Sequence, residues 1–275
     1  MNNLYLTFRE ELNQQTINLP RAALLFARAI AYPSLDVEDY LRRIYRLAED
    51  ARPALAQCTA LSERVDALAE FLFNEIGFKG NREDYYDPRN SYLNCVLDRK
   101  LGIPISLACL YVSVAQRLGL PAYGIGLPGH FIVGVYHQGQ EIYLDPFDAG
   151  VRLSIADCSR LVQQSTGKED TFQARWLAAV KPSDMLARML TNLCNAYIQR
   201  EDWHSAIPTL QHLLMVQPET DYHLRDLGYL YMYNGSLRLS AQYLEEYLRR
   251  APRASDFDHV LTSLKIVAGR LALWN

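Results

Sequence analysis

His130 and Asp145 are the residues of this chain whose types and spacing could do chemistry. They sit in Pro128-Gly-His-Phe131 and Tyr143-Leu-Asp-Pro146, on either side of Gln138-Gly139. If Gln138-Gly139 centres a two-residue hairpin, strand pairing sets Asp145 opposite Ile132. His130 is then its diagonal neighbour on the same face, about 7–8 Å away between Cα atoms. A carboxylate in that place fixes the tautomer of an imidazole that is to act as a general base. The same bond also satisfies two half-buried polar groups, so the pair reads equally as a structural contact.

The five cysteines, Cys58, Cys95, Cys109, Cys158 and Cys194, are dispersed, and none belongs to a C-x-x-C pair. An odd, scattered set reads as buried free thiols. Cys109 lies among Ala108, Leu110 and Val112, and Cys95 beside Val96, both settings of a core. Cys109 is nevertheless kept as the alternative nucleophile. His204 and His212 are eight apart without nearby partners, so no metal-ligand spacing appears, and neither metal nor cofactor is expected.

Helical periodicity dominates the first hundred or so residues. Pro33 ends an apolar helix over Ala22–Ile30, Asp36 can cap the next, and Ser62 opens another. Gly77–Pro88 reads as a polar, turn-rich loop. Residues 91–118 make two helices broken at Gly102-Ile-Pro104, where proline suits a first helical turn because its missing N–H would be unpaired there anyway. Alternation then takes over: Ala122–Gly126, Phe131–Tyr136 and Glu141–Leu144 predict three strands, the last two a hairpin. Helix and strand are segregated, so the fold class is α+β, not an alternating parallel sheet. After Lys181-Pro182 helices return with a period of 34: Leu193 and Leu227, Tyr197 and Tyr231, Leu210 and Leu244, Pro218 and Pro252. That period resembles the tetratricopeptide repeat, with Gly228 at its glycine and Cys194 in the same place one unit earlier. Two units are few, and Asp256–Trp274 is expected to cap them. The organisation expected is a first domain over 1–180 and a repeat domain over 181–275.

The run from Gly102-Ile-Pro-Ile-Ser-Leu107 to Gly119-Leu-Pro-Ala122 resembles the central helix of the transglutaminase-like superfamily, whose pattern is Gly-x-Cys followed by a helix. Anchored on Gly119–Ala122, Gly102 falls on the family's glycine and Pro104 on its nucleophile. His130 and Asp145 match its later histidine and aspartate. The resemblance thus implies a papain-like domain with two members of a triad and no thiol. Ser106, two residues past Pro104, lies about 200° around the helix, and Cys109 about 140° around and more than a turn deeper. With Asn90-Ser-Tyr-Leu-Asn94, Val96-Leu97, Pro128–Phe131 and Asp145-Pro-Phe147, the chain is similar to the bacterial SirB family. That family joins a transglutaminase-like domain to tetratricopeptide repeats, and a eukaryotic F-box protein carries a similar module.

Composition bounds the rest. With 275 residues, 49% hydrophobic and 21% charged, the chain is of ordinary globular type. A net charge of -3 gives no electrostatic reason to bind nucleic acid. Early acidic residues at Glu10-Glu11 disfavour a signal peptide, and no apolar run spans a bilayer, so a cytoplasmic protein without membrane contact is expected. Two functions follow. The first is a non-catalytic interaction or regulatory scaffold, its partner a protein or peptide bound on the repeats and the adjoining cleft. The second is an acyl-transfer enzyme using His130 and Asp145 with a displaced cysteine.

Overall fold

The computed structural model describes residues 3–167 and 172–273. The chain forms two compact units, Met1–Met189 and Leu190–Asn275. In the first, α1 (Asn3–Leu12), α2 (Leu19–Ile30), α3 (Val37–Ala56) and α4 (Leu61–Ala69) come in succession. Asp36 caps α3, accepting from the Asp39 amide at 3.0 Å. The helix expected to open at Ser62 starts one residue earlier, at Leu61. The Glu63 carboxylate reaches back to the Thr59 and Ala60 amides at 3.0 and 3.1 Å, half of a capping box. A π turn, Glu70–Glu75, continues α4 and places Phe73 flat against Tyr111, ring centroids 6.1 Å apart.

The loop after it holds β1 (Lys79–Gly80), which pairs in parallel with β2 (Leu101–Gly102), and a 3₁₀ turn at Pro88–Asn90. Between them stands α5 (Leu93–Arg99), and after β2 comes α6 (Pro104–Arg117). The positions of α6 from Pro104 to Ala115 are all buried, so this apolar helix is the axis of the first unit. It packs on α2, α3 and one face of an antiparallel meander. The meander runs β3 (Ala122–Ile125), β4 (Ile132–His137), β5 (Gln140–Asp145) and β6 (Val151–Leu153). The β4–β5 hairpin turns at Gln138 and Gly139, both at positive φ (49° and 85°), and its register sets Val133 against Leu144. Continued by one step, that register puts Asp145 opposite Ile132, as the hairpin centre predicts. A 3₁₀ turn (Pro146–Asp148) follows β5, α7 (Ile155–Thr166) follows β6, and Ile125 bridges to Ala179.

Five helices complete the chain: α8 (Pro182–Gln199), which crosses the boundary between the units, α9 (Trp203–Val216), α10 (Tyr222–Tyr233), α11 (Leu237–Arg250) and α12 (Phe257–Ala272). The second unit's core joins Leu224, Leu244 and Tyr247 to Val260 and Val267 of α12, so α12 covers the last helix pair. Trp274, expected at the end of that cap, lies outside the described residues. Gly228 lets α10 and α11 meet closely. A Cβ there would come within 2.5 Å of Leu244 Cδ2. The α+β class predicted from the sequence is the architecture found.

Candidate functional site

Pro104 is the first residue of α6, and the residue before it, Ile103, is extended (φ -105°, ψ 168°) as the position ahead of a proline must be. The start of the helix is held by Ser106. Its hydroxyl donates to the Asn90 carbonyl at 2.6 Å and accepts from the Ile103 amide at 3.0 Å. A Cβ on Gly102 would lie 2.8 Å from that Oγ, which is why glycine precedes the turn. Ser106 is wholly buried with its hydroxyl engaged, so it is a helix anchor and not a nucleophile.

His130 follows the turn that closes with its own amide donating to the Leu127 carbonyl at 3.1 Å. It stands two residues ahead of β4, in the turn that leads into the strand. Asp145 ends β5. Its Oδ2 lies 2.7 Å from His130 Nε2, and its Oδ1 accepts from the Phe147 amide at 2.9 Å. The imidazole and carboxylate are 12% and 5% exposed. With Nε2 committed to Asp145, Nδ1 is the ring nitrogen left for any other partner. The 3₁₀ turn after Asp145 packs on α6, and Gly80, paired with Gly102 just ahead of α6, lies against Phe147, so the pair and the helix start belong to one neighbourhood.

The four buried thiols are not activated. Cys109 is fully buried, and burial pushes its thiol up to about 12. Burial likewise raises Cys158 to about 11 and Cys194 to about 12. Burial raises Cys95 as well, although its Sγ is 3.0 Å from the Tyr32 hydroxyl. All four stay protonated at neutral pH, the opposite of an activated nucleophile. Among the described residues no cluster of three or more His, Cys, Asp or Glu is placed to hold a metal.

The loop over residues 81–90 carries what sequence reasoning missed. Asn81 donates from its amide to the Gly102 carbonyl at 2.9 Å and from Nδ2 to Asn90 Oδ1 at 3.1 Å. Asn90 Nδ2 in turn holds the Asp84 carbonyl at 2.7 Å. Asp87, 4% exposed, accepts from Arg89 and pairs with Arg99, and those cations keep its carboxyl below the usual range against the cost of burial. The brace to the Gly102 turn therefore comes from Asn81. This fixed loop presents Tyr85 and Tyr86. Tyr85 meets Phe147 edge-on at 6.1 Å, and Phe147 meets His130 at 6.2 Å. Tyr92, by contrast, is a core residue set against Tyr32.

A buried helix starting against the turn that follows a His–Asp pair, in an α+β unit succeeded by 34-residue helix pairs, defines a transglutaminase-like domain joined to tetratricopeptide repeats. The Transglutaminase-like superfamily model matches residues 38–191, and a Tetratricopeptide repeat model residues 193–265. The chain belongs to that superfamily, in the family of UPF0162 proteins. The UPF0162 protein of Xylella fastidiosa (strain 9a5c) is 34% identical over 251 residues, 90% of this chain and 89% of that one. F-box only protein 21 of Mus musculus is 36% identical over 141 residues, 48% of this chain but 21% of that protein. A crystal structure of menin aligns with 95% of this chain and 73% of its own at 13% identity, with a TM-score of 0.44. That likeness is too low to carry an argument.

Proposed function

We propose that this protein is a non-catalytic transglutaminase-like scaffold that captures another protein or a peptide on its helical repeats. The observation that carries this reading is Pro104. At the first position of α6, where a nucleophile would have the helix N-terminus and an imidazole to lower its pKa, stands a residue with no thiol, no hydroxyl and no N–H. The raised pKa values of Cys95, Cys109, Cys158 and Cys194 support it, because none of them offers a replacement. The repeats support the binding half, since stacked helix pairs recognise peptides through side chains along their groove. The reading includes SirB-type kinship, a cytoplasmic location, and no nucleic-acid partner for a chain of net charge -3.

One observation favours the rival acyl-transfer enzyme: the His130–Asp145 bond keeps an imidazole oriented as a base. Alkylation by iodoacetamide at neutral pH, mapped by mass spectrometry, separates the two. In the wild-type protein only Cys58, the one cysteine that is not buried, should react at the rate of a free thiol. Fast labelling of Cys95 or Cys109 would overturn the scaffold. Pro104→Cys should create a thiol that reacts at least about tenfold faster than Cys58, as a thiolate beside an imidazole does. An ordinary rate there would mean that the helix start and His130 are not aligned as a triad requires.

A further inference from the structure

The second unit holds a cavity of about 390 Å³ between α8 and α10. Its walls are aromatic. Trp203 and Tyr233 stack with centroids 5.1 Å apart and planes at 25°, and Tyr222 and Tyr229 face the same space. Tyr222 is 50% and Tyr233 61% exposed, large rings left open to solvent. No lysine or arginine lines the cavity, and the carboxylate of Asp226 does. Arg225 is shared between Asp226, at 2.7 Å, and Asp256, at 2.6 Å, so two carboxylates divide one guanidinium and a negative charge is left over.

The floor adds an unmade hydrogen bond. His223 is 3% exposed, and burial lowers its pKa, so the ring is neutral at physiological pH. Its Nε2 lies 3.1 Å from Gln217 Oε1, an acceptor, which makes Nε2 the donor and leaves a lone pair on Nδ1. That Nδ1 is buried and has no partner, and the Tyr229 hydroxyl is in the same state. Open ring faces and a carboxylate ask for one kind of guest, a group rich in N–H donors and positively charged. An anionic guest would meet Asp226 and the electron-rich ring faces without a cation to receive it.

We propose that this cavity receives the cationic side chain, arginine or lysine, of a partner peptide. The proposal rests on the reading of the repeats as the partner-binding surface. Its basis is the chemistry of the walls, which is more selective than apolar shape.

The test uses the full-length protein and fluorescently labelled short peptides, acetylated and amidated, as pools with one fixed central residue and random uncharged neighbours. The fixed residue is arginine, lysine, leucine or glutamate, and binding is read by anisotropy. The arginine and lysine pools should bind at least about tenfold more tightly than the leucine and glutamate pools, and added salt should narrow the gap. Asp226→Asn should remove most of the preference. Tyr233→Ala, at an exposed position that leaves the fold intact by thermal melting, should weaken the cationic pools about tenfold. If leucine or glutamate pools bind as well and still depend on Tyr233, the cationic guest is wrong and the repeat surface stands. If no pool binds, both the guest and the surface reading fall.

Discussion

The carboxylate of Asp145 accepts from His130 on one oxygen and from the Phe147 amide on the other, so truncating it strands two partners at once. Asp145→Ala should therefore lower stability by about 1–3 kcal/mol, the cost of a buried donor left unpaired. Urea unfolding measures it, and a wild-type midpoint with an unchanged slope would show that the contact contributes nothing. This pair was legible in the sequence because a hairpin centre fixes register, and register fixes which residues share a face. Asn81 and Asp87 were not legible. Their partners Asn90, Gly102 and Arg99 lie across a turn with no period, and a polar loop looks the same whether its amides face water or each other.

At the level of elements, helices with a full apolar stripe were readable and very short strands were not. β1, β2 and β6 have two or three residues each, too few for alternation to show, and β6 is mostly exposed. α4 starts one residue before Ser62, held by Glu63, which bonds from the third helical position to the Thr59 and Ala60 amides. α9 carries a test of its own. His212 is wholly buried there, its Nδ1 2.7 Å from the Pro208 carbonyl four residues back, and burial lowers its pKa from 6.5 to about 4. The unfolded chain then binds a proton that the folded chain refuses between those values, so stability falls as pH drops from 6.5 toward 4. The loss should reach about 3 kcal/mol at the acid end. Urea midpoints of the wild type and His212→Gln at pH 7 and pH 4.5 measure it. The variant should lack most of the acid-side loss, and parallel losses would assign the effect to other groups.

For the whole molecule, the sequence changes character at Lys181-Pro182, where a boundary between 180 and 181 is expected, while the compact units divide after Met189 within α8. The first turns of α8 thus count with the first unit. Gly124 leaves room for Met185, 2% exposed, which a Cβ at that glycine would meet at 2.8 Å from the sulfur. A fragment ending at residue 180 loses that side chain. It should be less stable than one ending at residue 189 by about 2–5 kcal/mol, the cost of removing a large buried side chain. Thermal and urea melts of the two fragments check this, and equal stability would place the boundary before α8. Period and punctuation could show that a repeat begins near Pro182, but not which unit its first turns serve, because helical pattern is blind to the neighbour a buried face meets.

The first turn of α6 has one more consequence. A helix N-terminus lowers the pKa of a thiol placed there, and it is also a place where a proline is at home, its φ already set and its missing N–H unneeded. Proline there narrows the unfolded chain's freedom, which is worth about 0.4–1 kcal/mol at a compatible site. On the scaffold reading proposed above, a single substitution at this position would trade turnover for rigidity and strengthen the helix on which the unit is built. Selection for a durable domain would favour keeping such a change even where no substrate is ever turned over.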